Sequence, residues 1–337
     1  MRSLGSDHML SMALLALVSL GVPSLANDSA AELSVGGLTF SRTADVSLES
    51  EELTITPDLV VVYYHFLNQT SNAVTLTVAF PLPDIDLSEG ENYVIPANDP
   101  TNFLAFETKV NGKPITFTIR QTAHLGEKDV SAALRGASVP LLPVGPDQGR
   151  LAELPEITRK NLIDQGLLLQ NGTDDNGRQL YIGAWTVKTA AVRRQTFPPN
   201  SPVAVEHRYR TSVGVSFDTV LRKGLRDNSG VAREVQRYRE EYCITDSFLA
   251  SLDKLSGNAS GNTAHLQERR ISYVMKTGAN WAGPIKDFRL VVDKQQHERL
   301  MSFCGNGIKS ISPTALEVRT KDFTPERDLK ILMVGRF

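Results

Sequence analysis

Cysteine is scarce in this chain of 337 residues: only Cys243 and Cys304 occur. Two thiols cannot build a disulfide-dense scaffold, and without a Cys-x-x-Cys spacing they do not form a zinc ribbon. A dominant sign of charge is also lacking. Lys and Arg total 36 against 38 Asp and Glu, and the basic residues are scattered. That distribution excludes the electrostatic footprint of a nucleic-acid binder. Long hydrophobic runs are missing as well. The clearest, Ala13 to Val22, has ten residues, half of the roughly 20 that a bilayer-spanning helix needs. No membrane span is expected in the mature chain.

Catalytic signatures are equally hard to find. Gly305 to Ser310 (GNGIKS) lacks the spacing that lets backbone amides cradle a phosphate, and neither Gly-x-Ser-x-Gly nor His-Glu-x-x-His occurs. The histidines (His8, His65, His124, His207, His265 and His297) are dispersed. His65 and His207 fall in strand-like runs, where an imidazole is more often structural than a ligand. The turn Asn171 to Gly177 (NGTDDNG) invites a calcium reading, but no register supplies both the glycine and the final glutamate of such a loop. Asp84 and Asp86 form a carboxylate pair beside Pro81 and Pro83, which more simply describes a strand end. No catalytic residue, metal site or cofactor is expected.

What the chain does have begins at its N-terminus. Arg2, the apolar Ala13 to Val22 and the small-residue end Ser24-Leu25-Ala26 make the three-part layout of a secretory signal. Cleavage is expected between Ala26 and Asn27, and the protein is expected to be exported, periplasmic or extracellular. Removing 26 of 337 residues leaves 311, enough for one large domain or two ordinary ones.

The remainder reads as mainly β: antiparallel β-sandwich-like regions with helical insertions. Val46, Leu48, Leu53 and Ile55 are spaced by polar residues until Thr56-Pro57-Asp58. Val60 to Phe66 and Val74 to Phe80 then read as an antiparallel hairpin about the polar turn Asn68 to Asn72. Asn111-Gly112, between Phe103 to Val110 and Ile115 to Ile119, marks a second hairpin. The boundaries that follow are a signal over 1–26, an N-terminal β region over 27–125, a helical insertion and turn over 126–176, and a C-terminal β region over 177–337. The last contains a helical stretch near 231–255 and a flexible Ser256 to Thr263 linker. Trp185 and Trp281 are expected in the core.

Several stretches resemble a family of secreted bacterial proteins known only as domain of unknown function 4424. Its marks are Asn27 to Leu33 with Gly36-Gly37-Leu38, Ala79 to Ile85, Glu206 to Tyr209, Tyr242-Cys243-Ile244, Thr277 to Pro284 with Phe288 to Val292, and Asp322 to Pro325 with Arg327-Asp328-Leu329. The resemblance implies no chemistry. Tyr63 to Asn68, Phe80 to Pro83 and Val110 to Ile115 faintly resemble the vault and inter-alpha-trypsin type of β-sandwich, which implies an interaction module.

These observations point to an exported, non-enzymatic envelope protein that binds, scaffolds or contacts an unknown surface partner. The rival is a secreted hydrolase acting on a cell-wall or carbohydrate substrate. Export places Cys243 and Cys304 where disulfides persist, so they are expected to pair. The leader has its own test. Intact-mass analysis of the exported protein is expected to give a chain starting at Asn27, and a mature species retaining Leu14 to Val22 would contradict the signal reading.

Overall fold

The structure, a computed structural model, describes residues 29–34, 37–89, 93–144, 149–257 and 266–337. Ala26 and Asn27 lie outside these residues, as does most of the Ser256 to Thr263 linker.

A hairpin of β1 (Ser29–Ser34) and β2 (Gly37–Ser41) precedes β3 (Val46–Ile55) and β4 (Leu59–Asn68). The turn between β3 and β4 closes when the Leu59 amide donates to the Thr56 hydroxyl at 2.9 Å. Next come β5 (Val74–Pro81), β6 (Ile85–Asp86), β7 (Tyr93–Val94), β8 (Glu107–Val110) and β9 (Lys113–Pro114). Asn111 and Gly112 join the last two with φ of 49° and 75°, the left-handed pair that a two-residue hairpin demands. β10 (Thr118–Leu125) and β11 (Lys128–Asp129) lead into the short helices α1 (Ser131–Gly136), α2 (Arg150–Glu153) and α3 (Glu156–Asp164). Strands resume as β12 (Leu168–Thr173), β13 (Gln179–Gly183), β14 (Thr186–Phe197), β15 (Pro202–Arg210) and β16 (Val213–Ser216). After α4 (Lys223–Arg226), α5 (Ala232–Tyr242) and α6 (Asp246–Leu255), the chain ends in six strands. These are β17 (Gln267–Tyr273), β18 (Ile285–Asp293), β19 (Leu300–Phe303), β20 (Lys309–Ser310), β21 (Ala315–Phe323) and β22 (Leu329–Gly335).

Strands of the described residues therefore gather into three large sheets. The central one has eight strands in the order β20-β21-β18-β3-β4-β15-β8-β9. It is antiparallel throughout except where β18 lies parallel to β3. Strict alternation gives it one buried face: Val60, Val62, Tyr64 and Phe66 of β4 beside Val203, Val205, His207 and Tyr209 of β15. That face packs against both other sheets. Phe80 of β5 stands 4.7 Å from the His207 ring, and the Tyr64 and Tyr273 hydroxyls meet at 3.2 Å. Phe80 belongs to the sheet β11-β10-β14-β5-β1-β2, whereas Tyr273 belongs to the five-stranded β19-β22-β17-β16-β7. The fold is thus mainly β, with antiparallel sheets packed face to face and a few helices.

Several sequence readings need correction. β4 and β5 do not form a hairpin: they lie in different sheets, and β4 pairs with β3 and β15 instead. The polar turn is a crossover tied down by Asn68, whose side-chain amide donates to the carbonyls of Asn72 and Phe197 at 2.8 and 2.9 Å. The Asn68 side-chain carbonyl accepts from the amide and hydroxyl of Thr70 as well, so one buried side chain holds the bend, and turn chemistry alone does not reveal which sheet the next strand joins. Around Asn111-Gly112 only Glu107–Val110 and Lys113–Pro114 pair, because the chain leaves the sheet on either side. The helical stretch near 231–255 is two helices, broken where Cys243 adopts φ 53°.

Trp185 and Trp281 are 0% and 3% exposed. The Trp185 indole donates to the Leu141 carbonyl at 2.8 Å, and Trp281 packs on Phe66 with ring centres 4.5 Å apart. His207 is buried among Tyr64, Phe80 and Phe106.

α5 and α6 cover the outer face of the five-stranded sheet, where Leu332 and Val334 meet Tyr238, Tyr242, Phe248 and Leu252. A disulfide joins Cys243, at the end of α5, to Cys304, just beyond β19, with Cα atoms 5.1 Å apart. It spans 61 residues of chain, a loop whose closure constrains the unfolded state by roughly 4 kcal/mol. Replacing both cysteines by Ser is expected to lower the equilibrium stability by about that amount in urea titration. An unchanged midpoint would show that the bond does not hold the helices to the sheet.

Candidate functional site

A cleft of about 530 Å³ opens where α5, the outer face of the five-stranded sheet and the β6 segment converge. Each wall follows from a simple periodicity. Ile85 of β6 is buried beside β14, while Asp86 and Asp84, the residue just before the strand, are exposed. On α5 the cleft-lining residues Glu234, Arg237, Tyr238, Glu241 and Tyr242 recur at three- and four-residue intervals, one stripe of a helix. On β17, Glu268, Arg270 and Ser272 share one side while Ile271 and Tyr273 point into the core. Gly214 of β16 faces Arg270. A Cβ there would stand 3.1 Å from the Arg270 Nε and Nη2, so the missing side chain is what gives the guanidinium its place.

Charge in the cleft is organised around ion pairs. Glu268, 1% exposed, lies behind the wall and accepts a hydrogen bond from the Tyr238 hydroxyl at 2.6 Å and another from Arg270. Arg270 also donates to the Ser216 hydroxyl at 2.8 Å. Arg237 bridges Glu234 and Glu241 along the helix. Lys330 of β22 donates to the Ser272 hydroxyl at 2.9 Å and lies 3.8 Å from Glu241. On the opposite wall, Asp86 Oδ1 accepts from both the amide and the hydroxyl of Ser88.

These contacts set the protonation states. The hydrogen bond from Arg237 holds Glu234 below the usual carboxylate range. Burial pulls Arg270 down, but its hydrogen bond to Glu268 and the surrounding charges outweigh that and raise it. Tyr238 is pushed up by burial and by the Glu268 charge, and Tyr242 by burial and the Glu241 charge. Both phenols therefore stay neutral at physiological pH and act as hydrogen-bonding hydroxyls, not as bases. Tyr242 has a further property. It is 3% exposed, lines the cleft, and its hydroxyl makes no hydrogen bond among the described residues.

The structure brings Asp84 and Asp86 into this cleft, whereas His207 lies in the core and Asp174 of the acidic turn folds back to the amides of Asn176 and Arg178. Among the described residues no group of three or more His, Cys, Asp and Glu is arranged to hold a metal ion. Arg237, Tyr238, Glu268 and Arg270 were not singled out in the sequence, and Tyr242 only within the Tyr242-Cys243-Ile244 mark of the family resemblance. The signal for the helical residues was present: Glu234-x-x-Arg237-Tyr238-x-x-Glu241-Tyr242 is a polar stripe at helical spacing. Nothing local marks Glu268 and Arg270, since alternation on a strand does not say which face meets a helix.

Packed antiparallel sheets with a polar cleft at a helix-covered seam define a β-rich protein whose site is built for polar contacts. The chain belongs to the family described as domain of unknown function, DUF4424, whose pattern matches residues 26–332. That match says nothing of the vault and inter-alpha-trypsin type. Among curated proteins nothing matches. A crystal structure of a candidate nutrient binding protein from Legionella pneumophila is similar over 91% of this chain and 72% of its own, at 16% identity and a TM-score of 0.42. An M1 zinc metallopeptidase from Deinococcus radiodurans is similar over 88% of this chain and 43% of its own, at 10% identity and a TM-score of 0.23. Neither score is high enough to carry a role across. Among the described residues no helix is long and apolar enough to cross a membrane.

Proposed function

We propose that this is an exported envelope protein, periplasmic or extracellular, that serves as a non-enzymatic binding module for a polar small molecule. The observation that carries the reading is Tyr242, whose ring is buried and whose hydroxyl opens on the cleft without a hydrogen bond to the described residues. A ligand oxygen or nitrogen can take up the bond that solvent otherwise makes there. The composition of the cleft agrees. Of its 16 lining residues only Pro83, Ile85 and Gly214 lack a polar side chain, whereas sites for apolar ligands are lined mainly by hydrophobic and aromatic groups. Arg237, Arg270 and Lys330 are each engaged by protein carboxylates or hydroxyls, an arrangement suited to positioning, not to proton transfer. Export is supported by the leader at Ala13 to Ala26 and by the Cys243–Cys304 bond, which persists in an oxidising compartment.

The rival reading, a secreted hydrolase, draws on Asp84 and Asp86 in the cleft. Both readings meet the same experiment. Native mass spectrometry of the exported protein, incubated with small molecules extracted from the envelope of its producing cells, is expected to show an intact bound ligand. Gly214→Ala displaces Arg270 and is expected to cut occupancy roughly tenfold while the fold is kept. Conversion of the ligand to cleaved products, lost in Asp84→Asn or Asp86→Asn, would favour the hydrolase. Occupancy unaffected by Gly214→Ala would move binding away from this cleft.

A further inference from the structure

Within the binding reading, on which this inference rests, we infer that the cleft takes an uncharged saccharide longer than a single sugar ring. The charges around the cleft are already matched. Arg237 is held by Glu234 and Glu241, Arg270 by Glu268, and Lys330 by Glu241. Asp86 accepts from the amide and hydroxyl of Ser88, and Asp84 and Glu89 have partners of their own. A ligand with a net charge would have to break one of these pairs or enter without a counter-charge, and either costs desolvation energy. The fitting ligand is therefore neutral.

Its polar groups follow from the same pairs. A paired carboxylate keeps lone pairs that accept, and a paired guanidinium keeps N–H groups that donate. A single ligand group that meets both sides of a pair must donate and accept at once. A hydroxyl does this; an ammonium only donates and a carboxylate only accepts. The open groups of the protein agree. The Tyr242 phenol lines the cleft and makes no hydrogen bond among the described residues. Ser216 and Ser272 accept from Arg270 and Lys330 at 2.8 and 2.9 Å, and each keeps its own O–H to donate. A framework of ligand hydroxyls meets all three without separating a pair.

The two serines set the length. Ser216 of β16 lies opposite Glu268, and Ser272 is four residues further along β17, about 14 Å at the rise of an extended strand. Both line the cleft, one on each side of Arg270. A single sugar ring bonded at one serine does not reach the other, whereas two linked rings do. Helix α5 runs along the same span. The Tyr238 hydroxyl reaches Glu268 at 2.6 Å, and Glu241 lies 3.8 Å from Lys330, the sheet partner of Ser272. Tyr242, next to Glu241, therefore belongs to the Ser272 end. The volume, about 530 Å³, falls in the range of about 300–1,000 Å³ typical of small-molecule sites.

Isothermal titration calorimetry of the mature protein tests this with maltose, cellobiose, lactose and trehalose as neutral disaccharides, and with glucose, glucosamine and glucuronate beside them. At least one disaccharide is expected to bind roughly tenfold or more tightly than any of the three single sugars. Its affinity is expected to stay within about twofold between low and high salt, because screening weakens only interactions between charges. Ser216→Ala, Ser272→Ala and Tyr242→Phe should each weaken that disaccharide roughly fivefold, the size of one lost neutral hydrogen bond, without shifting the unfolding midpoint. Tighter binding of glucosamine or glucuronate, or an affinity that collapses in salt, overturns the neutral ligand. Glucose binding as tightly as every disaccharide, or a loss in only one of the two serine variants, overturns the length. Disaccharide binding that survives all three substitutions overturns the cleft as its site. No binding by any probe overturns the saccharide class, and the extract experiment with Gly214→Ala then decides the cleft separately.

Discussion

Six consecutive residue pairs, from Asp287 with Ser50 to Val292 with Ile55, hold β18 beside β3 in parallel. The two strands come from opposite ends of the chain, so the eight-stranded central sheet is complete only when the C-terminal part has folded back onto β3. Each partner then carries its own neighbours into place. β3 brings β4 and, through it, β15 and β8; β18 brings β21. Leu53 and Ile55 on one strand and Leu290 and Val292 on the other are buried on the same inner face, and a slip of one residue in either strand would turn them to solvent. The register is therefore fixed by burial as well as by hydrogen bonding.

The cleft is a consequence of that arrangement. The central sheet supports two sheets on one face, and β6 pairs with β14 of one while β16 and β17 belong to the other. The seam between them is lined by groups that cannot enter either core. α5 closes it with a polar stripe, and its position is set by Tyr238 and Tyr242 packing on Leu332 and Val334, by the disulfide at its end and by Ser302, whose hydroxyl donates to the Tyr242 carbonyl at 2.8 Å. Tyr242 thus does two jobs. Its ring anchors the helix, and its hydroxyl is left at the cleft wall.

Much of the secondary structure was legible because alternation and turn chemistry act locally. β4 shows the pattern of buried and exposed positions that its sequence suggests, and Asn111-Gly112 forms the tight turn its residues favour. β3 buries Val46, Leu48, Leu53 and Ile55 but also Ser47 and Glu51, around a register shift after Leu48. What was not legible depends on tertiary choice. Nothing in Val74 to Phe80 says that it will cross to another sheet, and nothing in Phe288 to Val292 says that its partner is a strand near the other end, in parallel. The site was half visible. Asp84 and Asp86 drew notice as acids, and the stripe on α5 was readable at helical spacing. Arg270 owes its place to a glycine on a different strand, and Glu268 to a tyrosine on a helix, which are pairings that only the fold creates.

If both ends of the chain share one sheet, they share one stability. Native-state hydrogen exchange followed by mass spectrometry measures this directly by comparing the amides of Leu53 to Ile55 with those of Leu290 to Val292. The account predicts that both sets exchange only through global unfolding, with the same free energy and the same dependence on denaturant. Protection of one set that persists while the other exchanges through a smaller opening would contradict it, because the β3–β18 pair would then not be what holds the molecule together.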